Sequence, residues 1–202
     1  MPDPADPVLD PWAFQPEEST SVVIPTTAIN VTGSLANWAN PSAALAAGTG
    51  AGSTITTSGS GNSGILQCAP APASAYAAIN DGADITKFVI TEQISTTRTG
   101  TYYAGVDCAL MNSGTQVGTF EVATGNQENE VFATKTQTLA KVNFFPAGIT
   151  GAMLKNGTYG PGFIIQNSDP ATAGSNAIRS VTMQVFYQNP IPDGGAALFC
   201  EA

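Results

Sequence analysis

The amino-acid sequence predicts an all-β protein, an antiparallel β-sandwich of jelly-roll or immunoglobulin-like topology with an extended N-terminal arm. Three observations carry this expectation. Strand-length runs with a period of two recur at intervals of about ten residues, Gly, Asn and Pro fill the gaps between them, and helical periodicity is almost absent. The clearest run is Val181 to Tyr187, where Val181, Met183, Val185 and Tyr187 alternate with Thr182, Gln184 and Phe186. Its β-branched and aromatic content marks a strand, and Phe186 on the second face predicts an interior strand covered at least partly on both sides.

Taken in order, residues 1–20 form an acidic, Pro-rich arm in which Trp12 and Phe14 stand close together. Prolines forbid regular structure there, and a solvated tail seldom carries two large aromatics, so Trp12 and Phe14 are candidate interface anchors for a neighbouring subunit. The sandwich is expected over residues 21–188. It opens with two short strands, Ser21–Ile24 and Ala28–Val31, separated by Pro25. Ala43–Ala47, after Asn40-Pro41-Ser42, has the composition of a helical turn. Residues 48–64 are nearly all Gly, Ser, Thr, Ala and Asn, a flexible-linker composition, although Thr54–Thr57 could pair with Ile65-Leu66 as a loose hairpin. Pro70–Ala78 reads as an extended surface connection.

Residues 85–123 read as a three-stranded meander: Lys87–Ile94, a turn at Thr97–Gly100, Tyr102–Leu110, a turn at Asn112–Gly114, then Val117–Val122. Val131–Phe145 holds one long strand or two, stopped at Pro146, and Gly162–Gln166 is a further short strand. After the strand at Ile178–Tyr187, residues 189–202 form a C-terminal tail that begins Asn-Pro-Ile-Pro. No repeat of fixed period is present, which argues against a solenoid or propeller.

Composition narrows function by exclusion. Charged residues make up 10% of the chain, against roughly 25% in ordinary soluble proteins, so neutral hydroxyls and amides must keep the surface wet. Such groups cost less to desolvate than ions, which suits a subunit that buries much of its surface in an assembly. Seven acids precede the first base, Lys87, and the net charge is −9. Without a cationic footprint, nucleic acid is not an expected partner. No apolar run reaches the length of a membrane helix and no export signal is visible, so a membrane is not expected either and synthesis in a host cytoplasm is. The three cysteines, Cys68, Cys108 and Cys200, show no CxxC spacing and are expected as free thiols.

Histidine is absent, which removes the commonest general base, the Ser-His-Asp and Cys-His arrangements and most zinc and copper sites. No catalytic, cofactor or metal residues are assigned. Carboxylate chemistry remains open in principle: Glu92, Asp107 and Glu121 could meet on one face of the meander, but their spacing singles out no pair and solvated face positions are expected. Asp81 and Asp84 form the best calcium-type loop, yet an Asp-Gly turn before a strand is the expected reading. The triplets Asn30-Val31-Thr32 and Asn156-Gly157-Thr158 match a glycosylation pattern that chance supplies in so Asn- and Thr-rich a chain. Cys108 alternates with Val106 and Leu110 and reads as a small core residue.

An acidic, His-free β-sandwich with low charge and a proline-rich arm resembles in overall character the accessory virion proteins of tailed bacteriophages, among them head decoration or cement proteins, fibres and tail adaptors. The resemblance implies a non-enzymatic virion structural protein, a homo-oligomer that binds the major capsid protein or other virion proteins and stabilises the shell. Fibres would show repeats or heptads, so the decoration protein is favoured. A shell-forming coat subunit is permitted by the same composition. The rival class is a cell-surface or carbohydrate-binding module acting through loops of the sandwich, with Tyr102, Tyr103 and Tyr159 as candidate ligand contacts.

Overall fold

In the strand Gly174–Gln188, Ile178, Val181, Met183, Val185 and Tyr187 turn into the core while Thr182, Gln184 and Phe186 turn away. In the computed structural model this is the last strand, β11, and it lies inside a sheet as its sequence predicts. The structure describes residues 17–31, 36–48, 50–57, 61–70, 72–96, 104–121, 131–167 and 174–190.

The strands before it are β1 (Glu18–Val23), β2 (Thr27–Val31), β3 (Ser53–Thr57), β4 (Gly61–Asn62), β5 (Ile65–Ala69), β6 (Asp84–Thr96), β7 (Ala104–Asn112), β8 (Thr115–Glu121), β9 (Ala133–Ala140) and β10 (Tyr159–Asn167). One-turn helices interrupt them: α1 (Pro72–Ala75), α2 (Lys141–Phe144) and α3 (Gly151–Asn156). Sheet A has the order β1-β11-β6-β9, with β3 also on β11; sheet B has the order β2-β5-β10-β7-β8, with β4 on β10. All pairings are antiparallel.

This is a β-sandwich, and its pairing decides between the two expected topologies. β7 pairs with β8, β6 with β9, β5 with β10 and β1 with β11. The pairs nest, so the chain is one long antiparallel ribbon wound into two sheets, which is the jelly-roll arrangement.

The nesting overturns the expected meander. Only β7 and β8 form a hairpin; β6 belongs to sheet A and β7 to sheet B. Likewise Thr54–Thr57 does not pair with Ile65-Leu66: β3 lies on β11 and β5 on β10. Part of the supposed linker is built into the core instead. β11 bulges after Arg179, where Ser180 takes φ +55°, and Ala46 and Gly48 dock there: the Ser180 amide donates to Ala46 O and its hydroxyl oxygen accepts from the Gly48 amide. Gly52, at φ +75°, passes so close that a Cβ would lie 2.6 Å from the Ile178 carbonyl oxygen, so only glycine fits.

Three further expectations change. Pro70–Ala78 holds helix α1 rather than an extended surface connection, and it delivers Tyr76 to the core with Ile79 behind it, both essentially inaccessible. Val131–Phe145 is one strand followed by helix α2 rather than two strands. The Gly162–Gln166 strand extends over Tyr159–Asn167. The turn at Ala43 is present as a 3-10 turn over Pro41–Leu45, with Pro in its first turn and Asn40 left-handed before it. It closes one side of the sandwich with Trp38, whose indole donates to Gly64 O and whose backbone exchanges two hydrogen bonds with the Asn30 side chain. The amide of the Asn30-Val31-Thr32 triplet is thus already engaged.

The two ends of the sandwich differ. At one, Thr57 pairs with Gly174 and Asn176 with Thr96 in sheet A, and Asn167 pairs with both Ala104 and Gly61 in sheet B. The strands β3, β6 and β10 end there, and β4, β7 and β11 begin there. At the other end α1, α2 and α3 plug the opening, placing Tyr76, Phe145, Ile149 and Leu154 in the core. We refer to these as the loop end and the closed end.

Candidate docking face

The inward phase of β6 is Phe88, Ile90, Glu92, Ile94 and Thr96, all buried. Glu92 is therefore an interior carboxylate, not a solvated one, and it accepts a 2.7 Å hydrogen bond from Gln137 Nε2 across to β9. Asp107 is also fully buried, but by alternation with Val106, Cys108 and Leu110 it lies on the opposite face of sheet B. The expected common face for Glu92, Asp107 and Glu121 does not exist: Glu92 belongs to sheet A, while the strands of Asp107 and Glu121 belong to sheet B. The phase of Glu92 with Phe88 and Ile94 was a legible sign of its burial. Asp107 gave no such sign, because sheet B is covered on both faces at this point, as buried Ala109 and Met111 show.

Asp81 and Asp84 are held by lysines: Lys155 Nζ lies 2.6 Å from Asp81 Oδ1, and Lys141 Nζ lies 2.6 Å and 2.8 Å from the two oxygens of Asp84. The calcium reading of that loop is replaced by two ion pairs at the closed end. Tyr159, a candidate ligand contact in the sequence, is turned inward. It is 5% exposed, its carbonyl accepts from Tyr76 Oη at 2.8 Å, and its hydroxyl is bonded to Asn112. Burial raises the pKa of both phenols above the ordinary value. Tyr102, Tyr103, Trp12 and Phe14 lie outside the described residues. Cys68 and Cys108 are free and buried, and burial pushes the Cys68 thiol up to about 12, leaving it protonated and unreactive at neutral pH.

What remains on the surface is an extended face. The outward side of sheet A shows Thr20 and Val22 from β1, Thr182, Gln184 and Phe186 from β11, Val89 and Thr91 from β6, and Thr134, Thr136 and Thr138 from β9. The hydroxyls form cross-strand contacts, Thr91 Oγ1 to Thr136 Oγ1 at 3.4 Å and Thr182 Oγ1 to the Thr91 carbonyl at 3.5 Å. Its cations are engaged. Lys87 lies 4.1 Å from the centre of the Phe186 ring and 2.9 Å from Glu18, whose carboxyl is held below the ordinary Glu range by Lys87 first and Thr86 second. Arg179 donates to Gln93 Oε1 and to the Gly50 carbonyl and stacks at 3.8 Å on Phe132. Phe186 is thus half covered, with the Lys87 ammonium over its ring.

The lateral edges differ as well. Along β1 and β2, Val22, Ile24 and Ile29 are 69%, 64% and 53% exposed, and neither strand contains a basic residue. On the other side Lys135 and Lys141 lie on or beside β9, and β8 is covered by α2, whose Phe144 carbonyl occupies the space where Gly118, at φ +76°, would carry a Cβ. Charge and cover are the usual means of protecting a sheet edge; among the described residues the β1/β2 side has Glu18 as its one charge and no covering α-helix. Among the described residues no group of three or more Cys, Asp or Glu side chains is placed to hold a metal ion, and no helix is long and apolar enough to cross a membrane.

No family model and no curated protein matches the chain. Among solved structures, it is similar to a CBM4 β-sandwich with TM-score 0.40 and 9% identity, covering 81% of this chain and 92% of that one. An arabinose-bound α-L-arabinofuranosidase matches with TM-score 0.42 and 7% identity, over 79% of this chain and 23% of that one.

Proposed function

We propose that this chain is a non-enzymatic structural subunit of a virion, a capsid decoration or cement protein that lies on the outer shell through the outward face of sheet A and joins further copies of itself. The observation that carries the reading is that face: extended, lined by threonines, with Lys87 ion-paired to Glu18 and Arg179 hydrogen-bonded and stacked within the subunit. Desolvating hydroxyls that already hydrogen-bond one another costs far less than desolvating free ions, so such a face can be covered at small cost. Val22, Ile24 and Ile29 along the unguarded edge add apolar area beside it. Jelly rolls serve viral capsid and lectin domains alike, so the fold does not choose between them.

The test has two parts. Quantitative mass spectrometry of density-purified particles from the source lysate should find the chain at a ratio near or somewhat below one to the most abundant coat protein; absence from the particles would sink the virion reading. Thr136→Lys with Gln184→Lys should then lower occupancy on particles while leaving the melting temperature within about 2 °C of wild type, as expected for surface changes.

A second reading is a cell-surface or carbohydrate-binding module. It is favoured by the convergence of strand ends from both sheets at the loop end, and its candidate contacts are Tyr102 and Tyr103. Glycan-array binding abolished by Tyr102→Ala and Tyr103→Ala would establish it.

A further inference from the structure

The strands that border the sandwich are guarded on one side and open on the other. β9 carries Lys135 and is followed by Lys141, and β8 is covered by α2. β3 continues the line of β1 along β11, and its outer side exchanges two backbone hydrogen bonds with Ala39, 2.7 Å and 3.2 Å long. Among the described residues β1 pairs with β11 and with no other strand, so its second row of backbone N–H and C=O groups points away from the sheet. Such a row is a template for another strand.

The residues of β1 suit a second copy of β1. Glu18 is the strand's one charge and is already joined to Lys87, so a like strand can approach without bringing an unpaired ion. Thr20, Val22 and Ile24 share the outward phase and are exposed, while Val23 among them is buried. In an antiparallel pair each residue meets one on the same face, and a two-fold axis fixes which. With the axis at Val22, the two Val22 side chains meet and Thr20 meets Ile24, so all three exposed side chains gain a neighbour. The two Glu18 carboxylates then stand about 26 Å apart along the ribbon, at about 3.3 Å per residue, well beyond a Debye length of about 8 Å. An axis at Thr20 or Ser21 would press Glu18 against Val22 or Ile24 and desolvate its ion pair. An axis at Ile24 would call on Pro25, which has no N–H to give.

We propose that β1 is the self-association edge of this chain: two copies pair β1 to β1, antiparallel about a two-fold axis at Val22, and sheet A runs on from one copy into the next. The pairing rests on the reading above and supplies the copy-to-copy contact that it requires. Glu18–Ile24 is about 23 Å long and the sheets of a sandwich stand about 10 Å apart, which offers about 230 Å² of flat side per copy, against roughly 800 Å² per partner in a stable complex. The pair is accordingly weak in free solution and fills where copies are held side by side.

Crosslinking of the purified full chain tests this, since a disulfide traps a pair that forms only briefly. In a Cys200→Ser background Val22→Cys should give a covalent dimer on mild oxidation, because Cβ atoms opposed across an antiparallel pair lie about 4.5–5.5 Å apart, with Cys68 and Cys108 too buried to compete. Thr138→Cys, exposed on the guarded β9 edge, should dimerise at least about tenfold more slowly. Adding Thr20→Lys to Val22→Cys should slow its dimer by about tenfold or more at an unchanged melting temperature. No dimer from Val22→Cys, equal rates at the two edges, or a dimer indifferent to Thr20→Lys overturns the proposal. So does a dimer that appears only after residues 1–16 are removed, which would assign the edge to the chain's own terminus. Failure of the crosslink with the chain present on particles removes the pairing and leaves the shell reading; a dimer of a chain absent from particles removes the shell reading alone.

Discussion

The closed end and the loop end of the sandwich are stabilised by opposite means. At the closed end three short helices bring Tyr76, Phe145, Ile149 and Leu154 over the strand ends, and the Asp81–Lys155 and Asp84–Lys141 ion pairs stay at the rim, where they remain partly solvated. At the loop end the polar groups are inside: Thr96 and Asn176 sit on the inward face of sheet A, with Glu92 and Gln137 farther along it. The difference teaches that a chain with few charges can still spend them asymmetrically, keeping one end dry and cohesive and placing its costly interior groups at the other.

The sharpest way to break this contrast is to hollow the closed end. Phe145 packs edge-on against Phe88 with ring centres 5.3 Å apart, and Phe145→Ala should cost about 3–5 kcal/mol in urea unfolding; a loss below about 1 kcal/mol would show that the plug is not cohesive. Next in size is Glu92→Ala, which strands the buried Gln137 amide and should cost about 1–3 kcal/mol by the same assay. Asn176 is 1% exposed, and among the described residues neither side-chain amide atom has a hydrogen-bond partner. Asn176→Val should therefore raise stability, by about 1 kcal/mol, since it removes an unsatisfied buried group and suits a strand. A destabilised Asn176→Val would mean that the amide is satisfied by bound solvent.

The smallest effect is at Glu18. Its folded pKa is depressed below the ordinary 4.5, so its contribution is present above that value and is lost as pH falls through the lowered folded value. Glu18→Gln should lower the melting temperature by about 1 °C at pH 7, and the difference should shrink as the pH is taken below the ordinary Glu value and through the lowered one. A difference that persists in acid would mean that the Glu18 contacts do not depend on charge.

The strands were legible because each buries one face, and a period of two survives in Val181–Tyr187 and Phe88–Ile94 even with Glu92 in phase. The order of the strands was not. Thr97–Gly100 has turn composition, but the same residues serve a tight hairpin or a crossing to the second sheet, and only nesting across the whole chain tells them apart. The helices α1, α2 and α3 were missed because a single turn has no periodicity to read. The burial of Tyr159, a candidate ligand contact in the sequence, was not legible: Gly160 beside it lets the strand press against the Cys68 carbonyl, 2.0 Å from where a Cβ would lie. The neutral docking face was legible as composition, in the scarcity of Lys and Arg, but not as a place.

The nested pairing of β7–β8, β6–β9, β5–β10 and β1–β11 also sets an order of events. The hairpin at Ser113-Gly114 closes a loop of two residues, whereas β1 and β11 are separated by most of the chain, so each outer pair must bridge a longer loop than the one inside it. Assembly is therefore expected to zip outward from β7–β8, at the slow rates typical of chains dominated by distant contacts. On the ribosome β1 must wait for Gln188 before it has a partner, and until then Val22, Ile24 and Ile29 belong to an unpaired strand exposed to other nascent chains.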